Sequence, residues 1–135
     1  MKIDHLGIAV KDLDKTLSFY EDKLGLEKTA VETVADQGAK IAFLKIGESK
    51  IELLEALDED GPIARHIAKR GEGIHHLALG VDNIEEKVSD MKEQGVRFIG
   101  EEPTPGAENM KIIFIHPKSS DGVLMELCEP LGEED

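Results

Sequence analysis

The chain has no tryptophan, one tyrosine and four phenylalanines, so any core it builds must be mostly aliphatic. Cysteine is equally scarce. Cys128 stands alone, which excludes an intramolecular disulfide and a CxxC zinc site. Its setting in "GVLMELCEP" reads as that of a small buried hydrophobe rather than a reactive thiol. No apolar run approaches the roughly 20 residues that span a bilayer, and the opening "MKIDHLGIAV" meets an acid and a histidine before a signal-peptide core could form. A soluble, cytoplasmic protein is expected. Basic side chains are in deficit, 16 against 29 acids, for a net charge of −13. Such a surface repels a polyphosphate at long range, which argues against nucleic acid or an anionic membrane as the main partner. An anionic small ligand would need a local basic cluster.

What is present is a repeat. Aligning His5 with His76 sets "DHLGIAVKDLDKTLSFYEDKLGLE" over "HHLALGVDNIEEKVSDMKEQGVRF", self-similarity that points to two copies of one supersecondary unit. Each copy starts as a strand and then changes period. In the first, Asp12 caps a predicted helix with Leu13, Leu17, Tyr20 and Leu24 on its apolar face and Gly25 as its stop. In the second, Asn83 and Glu86 make a capping-box pattern ahead of Ile84, Val88 and Met91, and Gly95 is the stop. Strand-like runs follow each helix: "LEKTAVETV", "AKIAFLKIG" and "SKIELLEAL", then "VRFIG", "MKIIFIHP" and "GVLMELCEP". The expected fold is α+β, a single domain over 1–135 with βαβββ modules at 1–60 and 74–130. A linker helix at 61–73 joins them, begun by Pro62 and ended by Gly71 and Gly73. The acidic tail "GEED" is expected to fray.

Strand alternation sorts the polar residues. His5 shares a face with Gly7 and Ala9, and His76 with Ala78 and Gly80, while the large aliphatics turn toward the helices. Glu52 in "KIELLEAL" and Glu126 in "GVLMELCEP" lie among apolar residues on both faces of their strands. A carboxylate buried there calls for a cation or a strong donor. If a pseudo-two-fold relates the modules, His5, Glu52, His76 and Glu126 converge on a concave sheet surface. Two imidazoles and two carboxylates suit Co²⁺, Mn²⁺, Ni²⁺, Zn²⁺ or Fe²⁺, with two positions left on an octahedral ion. Of the other histidines, His66 is expected on the surface of the linker helix, His75 against a helix, and His116 at a strand end.

The βαβββ duplication with these four residues in register resembles the vicinal oxygen chelate (glyoxalase) superfamily. Within it, "PIARHIAKRGEGIHH" and "HPKSSDGVLMEL" look like the methylmalonyl-CoA epimerase family. That resemblance implies interconversion of the (2R) and (2S) epimers of methylmalonyl-CoA. It also implies a divalent ion, Co²⁺ first among the candidates, held by His5, Glu52, His76 and Glu126 and acting as a Lewis acid on the enediolate formed by proton removal. It gives Glu126 a second role in proton transfer and points to a homodimer. Some members carry a glutamate on the third strand where this chain has Ile41, so Glu52, a metal-bound water or another group must serve the second face. Lys118, Ser119 and Ser120 are candidates for contacting the substrate, with Arg65, Lys69 and Arg70 as a second basic cluster. The alternatives are a glyoxalase I using a similar ligand set and, less favoured, a metal-free small-molecule-binding resistance protein.

Overall fold

The structure, a computed structural model, describes residues 1–132; the acidic tail beyond Gly132 lies outside the described residues. The chain runs β1 (Lys2–Val10), α1 (Leu13–Leu17), β2 (Glu27–Val34), β3 (Ala39–Ile46), β4 (Ser49–Ala56), α2 (Pro62–Arg70), β5 (Gly73–Gly80), α3 (Ile84–Glu93), β6 (Phe98–Pro105), β7 (Met110–Ile115) and β8 (Met125–Pro130). None of these helices is long and apolar enough to cross a membrane. Contacts divide the chain into two compact units, His5–His75 on one side and His76 onward together with Met1–Asp4 on the other. The linker helix α2 therefore belongs with the first unit, and the first residues of β1 with the second.

Each unit orders its strands alike: β2-β3-β4-β1 in the first, β5-β8-β7-β6 in the second. β1 pairs parallel to β4, and β5 parallel to β8. The helix between the first two strands of each module covers one face. In the first unit Leu13 and Leu17 pack on Val10, Ala42, Leu44 and Leu53; in the second Ile84 and Val88 pack on Ile113, Ile115 and Leu127. Leu13 and Ile84 are 2% and 0% exposed, and such burial stabilises by about 2–3 kcal/mol per side chain.

Both helix starts are held twice. Asp12 and Asn83 accept hydrogen bonds from Lys15 N–H and Glu86 N–H, as their cap positions predict. In addition, Leu13 N donates to Glu55 Oε2 at 2.8 Å, and Ile84 N donates to Glu129 Oε1 at 2.8 Å. A carboxylate from a neighbouring strand thus satisfies an otherwise unpaired N–H and meets the positive end of the helix. Glu129→Ala is expected to lower stability by about 1–2 kcal/mol, read as a lower urea midpoint at unchanged m-value.

Two elements depart from the sequence expectation. The first helix widens after Leu17 into a π-type segment, Ser18–Lys23, with Leu24 N donating to Phe19 O. Wider turns advance the chain less than 100° per residue, so the expected inward Leu24 rotates out to 53% exposure and Leu26 takes its place beside Tyr20. β6 does not stop at Gly100 but continues to Pro105, with a register irregularity between Ile99 and Thr104. Being the last strand in its order, it tolerates Pro103 and Pro105, whose missing N–H groups face no partner strand.

Candidate functional site

The first unit brings His5 and Glu52 together. Alternation puts His5, Gly7 and Ala9 on the sheet face away from α1, and the parallel register sets Gly7 beside Glu52. Glycine leaves room there for longer neighbours. His5 Nδ1 lies 3.2 Å from Glu52 Oε2, and the two residues are 5% and 6% exposed. Across the antiparallel ladder, fully buried Phe43 stands opposite Glu52.

The second unit repeats the arrangement. Ala78 stands beside Glu126 in the β5–β8 register, and His76 Nε2 lies 3.8 Å from Glu126 Oε1. His76 and Glu126 are 6% and 3% exposed. Phe114 is opposite Glu126, and its ring meets His76 edge-on at 5.6 Å, which fixes the tilt of the imidazole. Strand parity in the sequence placed both histidines beside the small residues, and the register sets Glu52 and Glu126 beside those same small residues, Gly7 and Ala78.

The donor types fit a divalent cation. Each unit offers a buried imidazole nitrogen beside a buried carboxylate, His5 with Glu52 and His76 with Glu126. Two donors at about 2.1 Å from an ion and at right angles lie about 3.0 Å apart. The 3.2 Å of the first pair matches this, and the 3.8 Å of the second needs only a small closure.

The remaining candidates divide. Ser120 donates its hydroxyl to Val123 O at 2.6 Å, and Ser119 Oγ accepts from Arg97 N at 2.9 Å. Both hydroxyls bond within the protein at the turn after β7; Lys118 is exposed on it. Arg65 binds Asp60 O through its guanidinium, and Lys69 and Arg70 are solvated. His75 packs against α2 as expected, but its partner is His66, with ring centroids 4.8 Å apart. His66 is therefore half-buried rather than on the solvated face. Burial and then His66 push the His75 pKa down to about 4; burial and then Arg70 lower that of His66. Both stay neutral near pH 7. Cys128 is fully buried and donates to Leu79 O, as its setting implied.

Residues 4–114 match the family model described as the glyoxalase/bleomycin resistance protein/dioxygenase superfamily. The chain belongs to this superfamily. It is 39% identical to the mitochondrial methylmalonyl-CoA epimerase of Mus musculus over 93% of this chain and 71% of that protein. Among solved structures, a methylmalonyl-CoA epimerase in complex with methylmalonyl-CoA and NH4+ aligns with a TM-score of 0.93 at 39% identity, covering 99% of this chain and 97% of that one. A Streptomyces coelicolor methylmalonyl-CoA epimerase variant in complex with 2-nitronate-propionyl-CoA gives 0.94 at 39% identity, covering 100% and 98%.

Superfamily membership makes the third strand worth inspection. Ile41 is 0% exposed and stands opposite Leu54, two residues from Glu52 and on the same face. An apolar wall occupies this position. The two capping carboxylates, Glu55 and Glu129, escaped the sequence reading. Their signal was there: "ELLE" and "ELCE" carry a second glutamate three residues after Glu52 and Glu126.

Proposed function

We propose that this chain interconverts the two epimers of methylmalonyl-CoA at C2, with His5, Glu52, His76 and Glu126 converging as ligands of one divalent ion, Co²⁺ first among candidates. The observation that carries the reading is the repeated buried pair, one imidazole beside one carboxylate in each unit, in a chain whose relatives are epimerases of that substrate. A divalent ion so held supplies Lewis-acid polarisation of the thioester oxygen. Glu126 removes the C2 proton: the C–H electron pair moves into the thioester carbonyl and the proton passes to the carboxylate. The intermediate is planar at C2, so inversion requires a proton donor on the opposite face. Glu52 is the repeat counterpart of Glu126, and we assign it that role, since Ile41 provides no acid. A nitronate is planar and anionic, the shape and charge that proton removal creates, and a relative binds such an analogue. No electron is gained or lost overall, so no redox cofactor is required.

The assembly we propose is a homodimer, supported by the resemblance to the epimerase family. The decisive test is proton NMR of a single epimer in D₂O with Co²⁺-loaded protein and a no-protein control. Deuterium entering C2 well above the control rate, with appearance of the other epimer, is the expected result. Exchange no faster than control, alongside ready conversion of methylglyoxal and glutathione to lactoylglutathione, would transfer the site to glyoxalase chemistry.

A further inference from the structure

We infer that Arg97, His116 and Lys118 form an anion-binding rim that takes a phosphate of the coenzyme A moiety. The inference rests on the epimerase reading for the substrate, but its geometry stands within the second unit alone. Phe98 packs into the helix-side core and pairs with Ile115. The residue before it, Arg97, therefore projects to the other face, the one that carries Phe114 and Glu126. His116 N donates to Arg97 O at 2.9 Å, which extends the β6–β7 ladder by one pair and sets His116 and Arg97 side by side.

The turn after β7 locks this pair in place. Arg97 N donates to Ser119 Oγ, and Lys118 N donates to His116 Nδ1 at 3.1 Å. With Nδ1 accepting, the ring N–H lies on Nε2, so that edge is a donor. Backbone bonds from Ser119, Ser120 and Gly122 to His116 O and Pro117 O close the turn. A guanidinium, an N–H edge and an ammonium are thereby held on one short rim. Arg97 and Lys118 are exposed, so both side chains are open to a ligand. Asp121 is the one acid of the turn.

This rim lies about 7 Å along the strand from Phe114, the neighbour of Glu126. Leu77 N, next to His76, donates to Leu124 O at the exit of the same turn. The opposite end of β8 is different. A cleft of about 420 Å³ there is lined by Lys2, Asp4 and Asp82 beside Cys128 and Pro130, a wall of mixed charge that offers phosphate no net attraction. In a chain of net charge −13, a rim with two cations and one acid is a local exception that favours the phosphate-bearing end of the substrate. Guanidinium and ammonium groups are the side chains that hold phosphate oxygens.

Calorimetric titration of coenzyme A itself into the full chain tests the rim without requiring turnover. Arg97→Gln and Lys118→Gln keep every backbone bond named above and are expected each to weaken binding about tenfold. The double variant should also flatten the dependence of affinity on salt. The methylmalonyl thioester of pantetheine retains the carboxylate but lacks the phosphates. The ratio of kcat/KM for the CoA ester over the pantetheine ester should fall at least about tenfold in the double variant. Wild-type affinity for coenzyme A in the variants, or no binding by the wild type, overturns the inference. So does equal loss on both esters, which would assign the rim to the carboxylate. If the wild type inverts neither ester, the epimerase reading falls and the coenzyme A titration still decides this one.

Discussion

Replacement of Glu126 by glutamine is expected to stop inversion at C2, a loss of about 10²–10⁴-fold, while leaving one epimer able to exchange its proton. The amide has nearly the shape of the carboxylate and keeps an oxygen toward the site, so the fold and the opposite face remain. Only proton removal on the Glu126 side is lost. Glu52→Gln should give the mirror result, with the other epimer exchanging and no inversion. Separate incubation of each epimer in D₂O, followed by NMR, reads both variants. If Glu52→Gln inverts at the wild-type rate, Glu52 is a ligand only and the second proton comes from elsewhere. If Glu126→Gln does so, Glu126 leaves the mechanism.

Removal of the divalent ion is the second large effect. Chelator-treated protein is expected to lose exchange by more than about 10²-fold, because an uncompensated oxyanion costs about 3 kcal/mol or more in the transition state, and added Co²⁺ should restore it. A readout independent of activity comes from linkage. An ion that binds only the folded chain at a thousandfold excess over its Kd stabilises by about 4 kcal/mol, visible as a higher unfolding midpoint. His76→Ala should fold, retain little metal by elemental analysis, and show no such rise with Co²⁺. Its ring is buried and meets Phe114 edge-on, so the variant also loses some packing, and the absent response to Co²⁺ rather than the midpoint itself reports the lost ligand. Unchanged metal content in this variant would remove His76 from the ligand set.

The candidate residues were legible because strand parity is a short-range property. Whether His5 and His76 face the helix or the open side depends only on alternate residues, and the small neighbours Gly7 and Ala78 mark the side. Glu52 and Glu126 stood out as acids with apolar residues before and after. What escaped depended on contacts distant in sequence or on departures from ideal geometry. Glu55 reaches Leu13 across 42 positions and Glu129 reaches Ile84 across 45, and although the repeated second glutamate marks both residues, nothing local names the helix each one caps. The exchange of Leu24 for Leu26 follows from a π-type segment that a constant 3.6-residue period cannot express. The serines after Pro117 read as donors for a ligand because a turn's internal hydrogen bonds are invisible in composition. His66 looked solvated on its own helix; only the approach of His75 shows otherwise.

The two prolines of β6 bear on how copies of this chain meet one another. A strand at the margin of a sheet offers its backbone as a template for an incoming strand, and Pro103 and Pro105 delete two of the donors that such an addition would use. β2, the outermost strand of the other unit, contains no proline over Glu27–Val34. Growth by strand addition is therefore directional: prolines obstruct one margin, and the other, with Glu27, Lys28 and Glu32, is guarded by charge and by a register irregularity between Lys28 and Ala30. At high salt, where the charge is screened, self-association should begin at β2.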